Sequence, residues 1–216
     1  MSAAREEILA RVRSALRDVP AAETADEVDV AREYRRHDER PVAALLDVLA
    51  QRLADYHAEV VRVAADAVGS AVSEACRRLG LGRVVVSAGL PDGWGPEGVR
   101  LVADEVSLSA AELDALDGAV TGCAVAIAET GTLVLDGQPR SGRRVITLIP
   151  DHHICVVAAD QVVGQVPEAI ARLGPAVRER RAPLTFISGP SATSDIELER
   201  VEGVHGPRHL VVVIAD

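Results

Sequence analysis

The sequence predicts an α/β fold in which a mainly parallel sheet is covered by helices. Short apolar segments alternate with helical segments through most of the 216-residue chain, which is the pattern of successive β–α units. Hydrophobic residues make up 48% of the chain, enough for a substantial core. Aromatic residues make up only 2%, so that core must consist of Val, Leu, Ile and Ala.

Residues 1–57 are predicted to form a helical extension to the α/β domain, which then spans residues 58–216. Residues 3–17 carry apolar side chains at helical spacing, and a second helix should begin near Pro41, a favourable first-turn residue. Residues 18–40 between these helices are polar and acidic. Their composition indicates a loosely held connector with little to bury.

The remaining elements follow from hydrophobic periodicity and from turn residues. Capping boxes at Ser109–Glu112 and Ser194–Glu197 indicate two helix starts. Between residues 119 and 158 strands follow one another without helices, so local antiparallel pairing is expected. The predicted strands are 59–64, 83–87, 99–103, 122–128, 133–135, 144–149, 154–158, 184–188 and 210–214, and the longer helices are 69–80 and 166–180.

Charge and composition argue against several classes of function. The sequence contains no Lys, which excludes a Schiff-base lysine and a P-loop lysine. A net charge of −10 repels polyanions, and few aromatic side chains are present for base stacking, so a nucleic-acid partner is not expected. No apolar run approaches membrane-spanning length. We therefore expect a cytoplasmic protein without membrane contact.

The three cysteines do not indicate a cluster or a disulfide framework. Cys76, Cys123 and Cys155 are widely spaced and odd in number. They are too few for a four-cysteine iron–sulfur or zinc site within one chain. Cys123 and Cys155 lie in apolar, strand-like segments, so both are interpreted as small buried hydrophobic residues.

Neither histidine pair has the geometry that zinc requires. His152 and His153 are adjacent between two predicted strands, and because neighbouring residues on a strand point to opposite faces, they could share one metal only in an irregular turn. His205 and His209 have helical metal spacing, but Pro207 with its preceding glycine prevents a helix there. We therefore expect no metal and no cofactor within this chain.

The turn after the predicted strand 122–128 is the first candidate for chemistry. Glu129 stands where that buried strand ends, flanked by the hydroxyls of Thr130 and Thr132 with Gly131 between them. Buried strands deliver functional groups at their ends, so Glu129 is the candidate catalytic residue, as a base, nucleophile or hydrogen-bond anchor. The alternative is a hairpin turn in which the glycine supplies a positive φ.

A second candidate is the hydroxyl-rich loop after the predicted strand 184–188. Ser188, Gly189 and Ser191 lead into a predicted helix N-terminus, where backbone N–H groups can hold a phosphate or carboxylate. Against this, Asp195 already complements the helix dipole, and its charge opposes an incoming anion.

The two candidates converge if the sheet is mainly parallel. The loops that follow three of its strands then leave from the carboxyl edge, where open α/β sheets bind ligands. Trp94, Glu129 and Ser188 would meet there. A hydrogen-bonded histidine is expected near this site, with His153 and His205 as candidates.

Three segments taken together resemble the LUD domain family and, more narrowly, its lactate utilization protein C branch. The resemblance covers residues 59–216 in the right order, and its last segment is specific. It implies a fold like that of the NagB, RpiA and CoA-transferase group. The segments are Ala128-Glu-Thr-Gly-Thr-Leu-Val-Leu, Leu148-Ile-Pro-Asp-His-His-Ile-Cys-Val-Val, and Ile187-Ser-Gly-Pro-Ser-Ala-Thr-Ser-Asp-Ile-Glu with Gly203-Val-His-Gly-Pro.

The resemblance also implies a system that oxidises L-lactate to pyruvate together with iron–sulfur subunits. The cluster cysteines of those subunits are absent here, which implies a cluster-free subunit with iron–sulfur partners. By fold-level analogy with CoA transferases, Glu129 resembles a carboxylate nucleophile.

Two classes of function stay open at this point. One is a small-molecule enzyme or binding subunit for a hydroxy or keto acid, a CoA ester or a sugar phosphate. The other is an accessory subunit whose N-terminal helices dock an iron–sulfur partner. A sugar-phosphate isomerase would need clustered arginines at the pocket, and Arg140, Arg143 and Arg144 are the nearest candidates.

Overall fold

The computed structural model divides into two compact units, residues 1–34 and 35–216. In the first unit, helix α1 (Ala3–Ala15) matches the predicted amphipathic helix, and none of its side chains is buried. The residues that the structure describes are 3–20, 30–105, 108–193, 201–203 and 205–216.

A six-stranded sheet forms the centre of the larger unit. Its strands are β1 (Glu59–Val63), β2 (Arg83–Val86), β3 (Arg100–Ala103), β4 (Gly118–Gly122), β7 (His152–Ala158) and β12 (His209–Ala215). The strand order is β1–β12–β7–β4–β2–β3, and every neighbouring pair is parallel. The predicted parallel α/β fold is therefore confirmed.

Helices cover both faces of this sheet. They are α2 (Val42–Asp55), α3 (Val68–Arg78) and α4 (Ala110–Asp114), whereas α5 (Val166–Arg180) packs against a second sheet. Alternate residues of β12 separate the two cores: Val212 packs in the core that includes α2, and Val211 in the core that includes α3. Successive strand side chains point to opposite faces, so a continuous apolar segment is what a sheet buried on both sides requires.

A second, four-stranded sheet contains the candidate turns. Its strands are β5 (Val125–Ile127), β6 (Thr132–Leu135), β8 (Val162–Val163) and β9 (Thr185–Ile187). The order is β8–β5–β6–β9, in which β6 pairs antiparallel with both β5 and β9. This confirms the antiparallel pairing expected in the middle of the chain. A short antiparallel pair, β10 (Ala192–Thr193) and β11 (Val201–Glu202), follows β9.

Two predicted strands need correction. Segment 122–128 is not one strand, because β4 begins at Gly118 and ends at Gly122, and the chain then enters β5 of the other sheet. Segment 144–149 contains a 3₁₀ turn, Arg144–Thr147, whose first carbonyl accepts a hydrogen bond from the Thr147 hydroxyl. This local side-chain bond competes with a strand ladder. The predicted capping box at Ser194–Glu197 lies outside the described residues.

Helix α2 belongs to the larger compact unit, since Leu49 and Leu53 are fully buried in the core beside β12. The connector before it is held more firmly than expected, because Asp38 accepts hydrogen bonds from Arg40 and Gln165. The Arg40 side chain keeps the pKa of Asp38 well below its usual range. The domain boundary between residues 57 and 58 stays a prediction. Among the described helices, none is long and apolar enough to cross a bilayer.

Candidate functional site

A cavity of about 220 Å³ lies at the amino end of the two central strands β7 and β12. His153 and Leu210, each the second residue of its strand, contribute to its lining. The other walls come from the Arg144–Thr147 turn, from β9 with the loop after it, and from the segment that precedes β12. Five of the nine candidate residues line this cavity: His153, Ser188, Gly189, Ser191 and His205.

The expected convergence is only partly correct, because the Glu129 turn and the Ser188 loop meet but do so away from the carboxyl edge and without Trp94. Beyond β2 and β4 that edge is covered by the loop carrying Arg140, whose carbonyl accepts hydrogen bonds from the Gly122 amide at 2.9 Å and the Ser87 hydroxyl at 2.8 Å. The Arg140 guanidinium lies 5.5 Å from the ring centre of Trp94. Trp94 therefore packs against this loop, whereas Ser188 follows β9 of the second sheet and reaches the opposite edge.

His153 is the most buried polar residue of the cavity, with 1% of its surface exposed. Its Nε2 lies 2.9 Å from the Thr121 hydroxyl on the neighbouring strand. Burial, together with the nearby charge of Arg144, lowers the pKa of His153 to about 4. The imidazole is therefore neutral at neutral pH, so it can donate through one ring nitrogen and accept through the other.

His152 points to the opposite face of the strand, as predicted for adjacent residues. Its Nδ1 lies 3.0 Å from the carbonyl oxygen of Asp117, and its ring stacks on His209 at 4.7 Å between centroids. Within the described residues, no three His, Cys, Asp or Glu side chains are placed to hold a metal ion.

Arg144 is the cation of the cavity. Its Nη1 donates to the carbonyl and the hydroxyl oxygens of Thr147, both at 3.1 Å. Partial burial lowers the pKa of Arg144, and no carboxylate in the described part of the chain pairs with it. The neighbouring arginines lie elsewhere, since Arg143 pairs with Asp104 at 2.6 Å and Arg140 contacts Trp94. The arginine cluster that an isomerase would need is therefore not formed.

The Glu129 turn meets the serine loop through hydroxyl groups. Thr130 Oγ1 lies 2.7 Å from Thr132 Oγ1, which in turn lies 2.8 Å from Ser188 Oγ. The Glu129 carboxylate is outside the described lining of the cavity and forms an exposed ion pair with Arg35 at 3.1 Å. A catalytic role for Glu129 stays a prediction.

Both turns are built against the C-terminal end of α2, and both need glycine there. Gly131 has φ of 57°, and a Cβ atom at this position would lie 2.9 Å from the carbonyl carbon of Arg52. Gly189 has φ of 91°, and its Cβ would lie 2.7 Å from the carbonyl oxygen of Tyr56. A side chain at either position would meet helix backbone, so α2 sets the position of the serine loop beside the cavity. The hairpin geometry predicted for Gly131 is confirmed.

Comparison with known proteins identifies the family. The model of the LUD domain matches residues 46–215. The chain belongs to the LUD domain family. A protein of Deinococcus radiodurans named Lactate utilization protein C is 50% identical over 172 residues, which is 80% of each chain. A protein of the same name from Geobacillus thermodenitrificans is 28% identical over 79% of this chain and 78% of its own length. These relatives confirm the resemblance to the lactate utilization protein C branch.

A solved structure shares the fold. The crystal structure of a DUF162 family protein from Deinococcus radiodurans matches with a TM-score of 0.71 at 40% identity, covering 82% of this chain and 99% of its own. The likeness to the NagB, RpiA and CoA-transferase group stays a prediction.

The sequence patterns indicate the hydroxyls and histidines of the cavity but do not place Arg144 among them. The segment around Arg144 has the apolar pattern of a strand, so in the sequence this residue stands out only beside Arg140 and Arg143. One feature of the sequence does indicate the position of Arg144. Thr147 follows it by three residues, and this spacing allows a single 3₁₀ turn to bring the two polar side chains together.

Proposed function

We propose that this protein acts in lactate utilization, as a cytoplasmic, cluster-free subunit that works with iron–sulfur partner proteins in the oxidation of L-lactate to pyruvate. The observation that carries the proposal is the relative named Lactate utilization protein C, which is 50% identical over 80% of both chains. Identity at this level over most of a domain favours a shared role.

The chemistry of the reaction supports a division of labour. Oxidation of lactate to pyruvate releases two electrons, and iron–sulfur clusters held by cysteine thiolates are suited to accept them one at a time. In this chain Cys76, Cys123 and Cys155 are free and buried, and Cys76 packs in a different core from the other two. This arrangement favours clusters carried by partner proteins.

A growth experiment tests the pathway. Deletion of the gene in its own host should abolish growth on L-lactate as the sole carbon source, and the wild-type gene should restore it. Growth on pyruvate should be unchanged, because pyruvate enters metabolism after the proposed step. Undiminished growth of the deletion strain on L-lactate would contradict the proposed function.

Helix α1 is the candidate docking element for the partner. Ile8 and Val12 on α1 and Leu16 directly after it follow one another at four-residue spacing and are exposed to 61%, 47% and 56%. A continuous apolar stripe of this kind is what a helix presents to a partner surface.

Co-purification with iron–sulfur proteins tests the docking. Val12→Asp should reduce recovery of the partner from the host at least tenfold, since it places a carboxylate in the apolar stripe. Ala10→Asp adds the same charge away from the stripe, where the helix is also exposed, and should leave recovery unchanged. Equal recovery with both variants would show that α1 does not dock the partner.

A further inference from the structure

We propose that the cavity beside His153 binds a small monocarboxylate anion, with the Arg144 guanidinium as its charge partner. The case for a small anion rests on the volume, charge and hydrogen-bonding groups of the cavity. Only the choice of lactate and pyruvate as ligands rests on the proposed function.

The volume limits the size of the ligand. A cavity of about 220 Å³ has room for about seven water molecules at roughly 30 Å³ each. L-lactate and pyruvate each contain six non-hydrogen atoms, so either fits within this space. Drug-sized ligands occupy pockets of roughly 300–1,000 Å³, so a CoA ester or a dinucleotide would have to extend beyond this cavity.

The charge of the lining favours an anion. The chain as a whole carries a net charge of −10, yet the described lining includes one guanidinium and two imidazoles and no carboxylate. Partial burial removes water from Arg144 without supplying an ion-pair partner among the described residues. A bound carboxylate would supply that partner through charge-assisted hydrogen bonds. With one arginine available, a monocarboxylate fits better than a dicarboxylate.

The remaining polar groups suit a second oxygen on the ligand. His153 is neutral, its Nε2 is occupied by Thr121, and its Nδ1 has no hydrogen-bond partner among the described residues. Ser191 Oγ accepts the backbone N–H of His205 at 3.0 Å, which leaves its own hydroxyl proton to donate. His153 and Ser191 can therefore hydrogen-bond to a second oxygen next to the carboxylate, either a keto oxygen that accepts or a hydroxyl that also donates.

The apolar part of the lining completes the match. Leu210 is 4% exposed, and Ile187 packs against the same core. These side chains provide contact for a methyl group, the third substituent that lactate and pyruvate share. The lining thus combines one cation, neutral hydrogen-bonding groups and an apolar wall around a space that admits a ligand of this size.

Isothermal titration calorimetry on the purified full-length chain tests the proposal. The probes are sodium L-lactate, sodium pyruvate and sodium propionate, with sodium chloride as the ionic control. Saturable binding of a monocarboxylate is expected. Arg144→Gln should weaken it about 10- to 100-fold, the usual effect of losing a hydrogen bond to a charged group. Arg144→Lys keeps the charge without the planar guanidinium, so its affinity should lie between those of the wild type and Arg144→Gln.

The matched control is Arg100→Gln, the same chemical change at an exposed position on the edge strand β3. It should bind as the wild type does, and circular dichroism should show that all variants fold. No saturable binding of any carboxylate by the wild type, or an equal loss in Arg100→Gln, would overturn the proposal. Binding of propionate but of neither lactate nor pyruvate would uphold the anion site and count against the proposed ligand.

Discussion

Burial of His153 makes the stability of the protein depend on pH between about 4 and 6.5. The pKa of this histidine falls from 6.5 to about 4 in the folded protein, because burial and the Arg144 charge disfavour the imidazolium. Between these values the unfolded chain binds a proton that the folded protein excludes, so acid stabilises the unfolded chain. Each pKa unit corresponds to about 1.4 kcal/mol, so the stability that depends on neutral His153 is roughly 3 kcal/mol. It is fully present above pH 6.5 and lost near pH 4.

Urea unfolding at a series of pH values measures this loss. Wild type and His153→Gln should be compared by circular dichroism between about pH 7.5 and 4.5. Glutamine does not titrate, and its amide reaches the position of Nε2 beside Thr121, so the variant should lose far less stability over this range. Asp38 does not disturb the comparison. Its lowered pKa stabilises the folded protein, and this stabilisation is lost only as pH falls below about 3.8, the pKa of Asp in the unfolded chain. Parallel pH profiles for the two proteins would refute the assignment of a neutral, buried His153.

Three further substitutions test the packing around the site, each by thermal or urea unfolding. Gly189→Ala should destabilise the protein by about 1–3 kcal/mol, more than Gly137→Ala, because both have positive φ but only Gly189 would meet backbone. Leu49→Ala should cost about 2–5 kcal/mol because the side chain is fully buried, whereas Ile8→Ala on exposed α1 should cost under about 0.5 kcal/mol. Thr132→Val should cost about 1 kcal/mol, since it breaks the hydroxyl chain to the serine loop. Equal effects of the two glycine changes would contradict the approach of Gly189 to the backbone of Tyr56. A cost for Leu49→Ala no larger than for Ile8→Ala would contradict the burial of Leu49. Unchanged stability of Thr132→Val would contradict the hydroxyl contact with Ser188.

The fold was predictable because the two periodicities of the sheet and helices are local properties of the chain. The continuous apolar segment of β12 indicates a strand buried on both faces, and the Ser109–Glu112 box marks the start of α4, where both of its hydrogen bonds form. Strand pairing is not local. In segment 122–128, Gly122 pairs with β7 of the first sheet and Val125–Ile127 pair with β6 of the second. The segment is apolar throughout, so its sequence does not show where the chain changes from one sheet to the other.

The site was predictable in part for the same reason. Ser188 and Ser191 stand out as hydroxyls after a strand, and His153 and His205 as polar side chains beside apolar segments. Their meeting at the amino edge depends on β9 pairing with β6 in a second sheet, which brings the serine loop next to β12. The carboxyl edge was the expected place, and the loop around Arg140 covers it beyond β2 and β4 instead.

A crystal structure of the protein with L-lactate or pyruvate at saturating concentration would show whether the cavity beside His153 binds a monocarboxylate. We expect electron density for the ligand in the cavity beside His153, with its carboxylate within about 3 Å of the Arg144 guanidinium and its second oxygen facing His153 or Ser191. Density only beside the ion pair of Glu129 and Arg35, or an empty cavity at saturating ligand, would contradict the assignment of Arg144 and His153 to a carboxylate site.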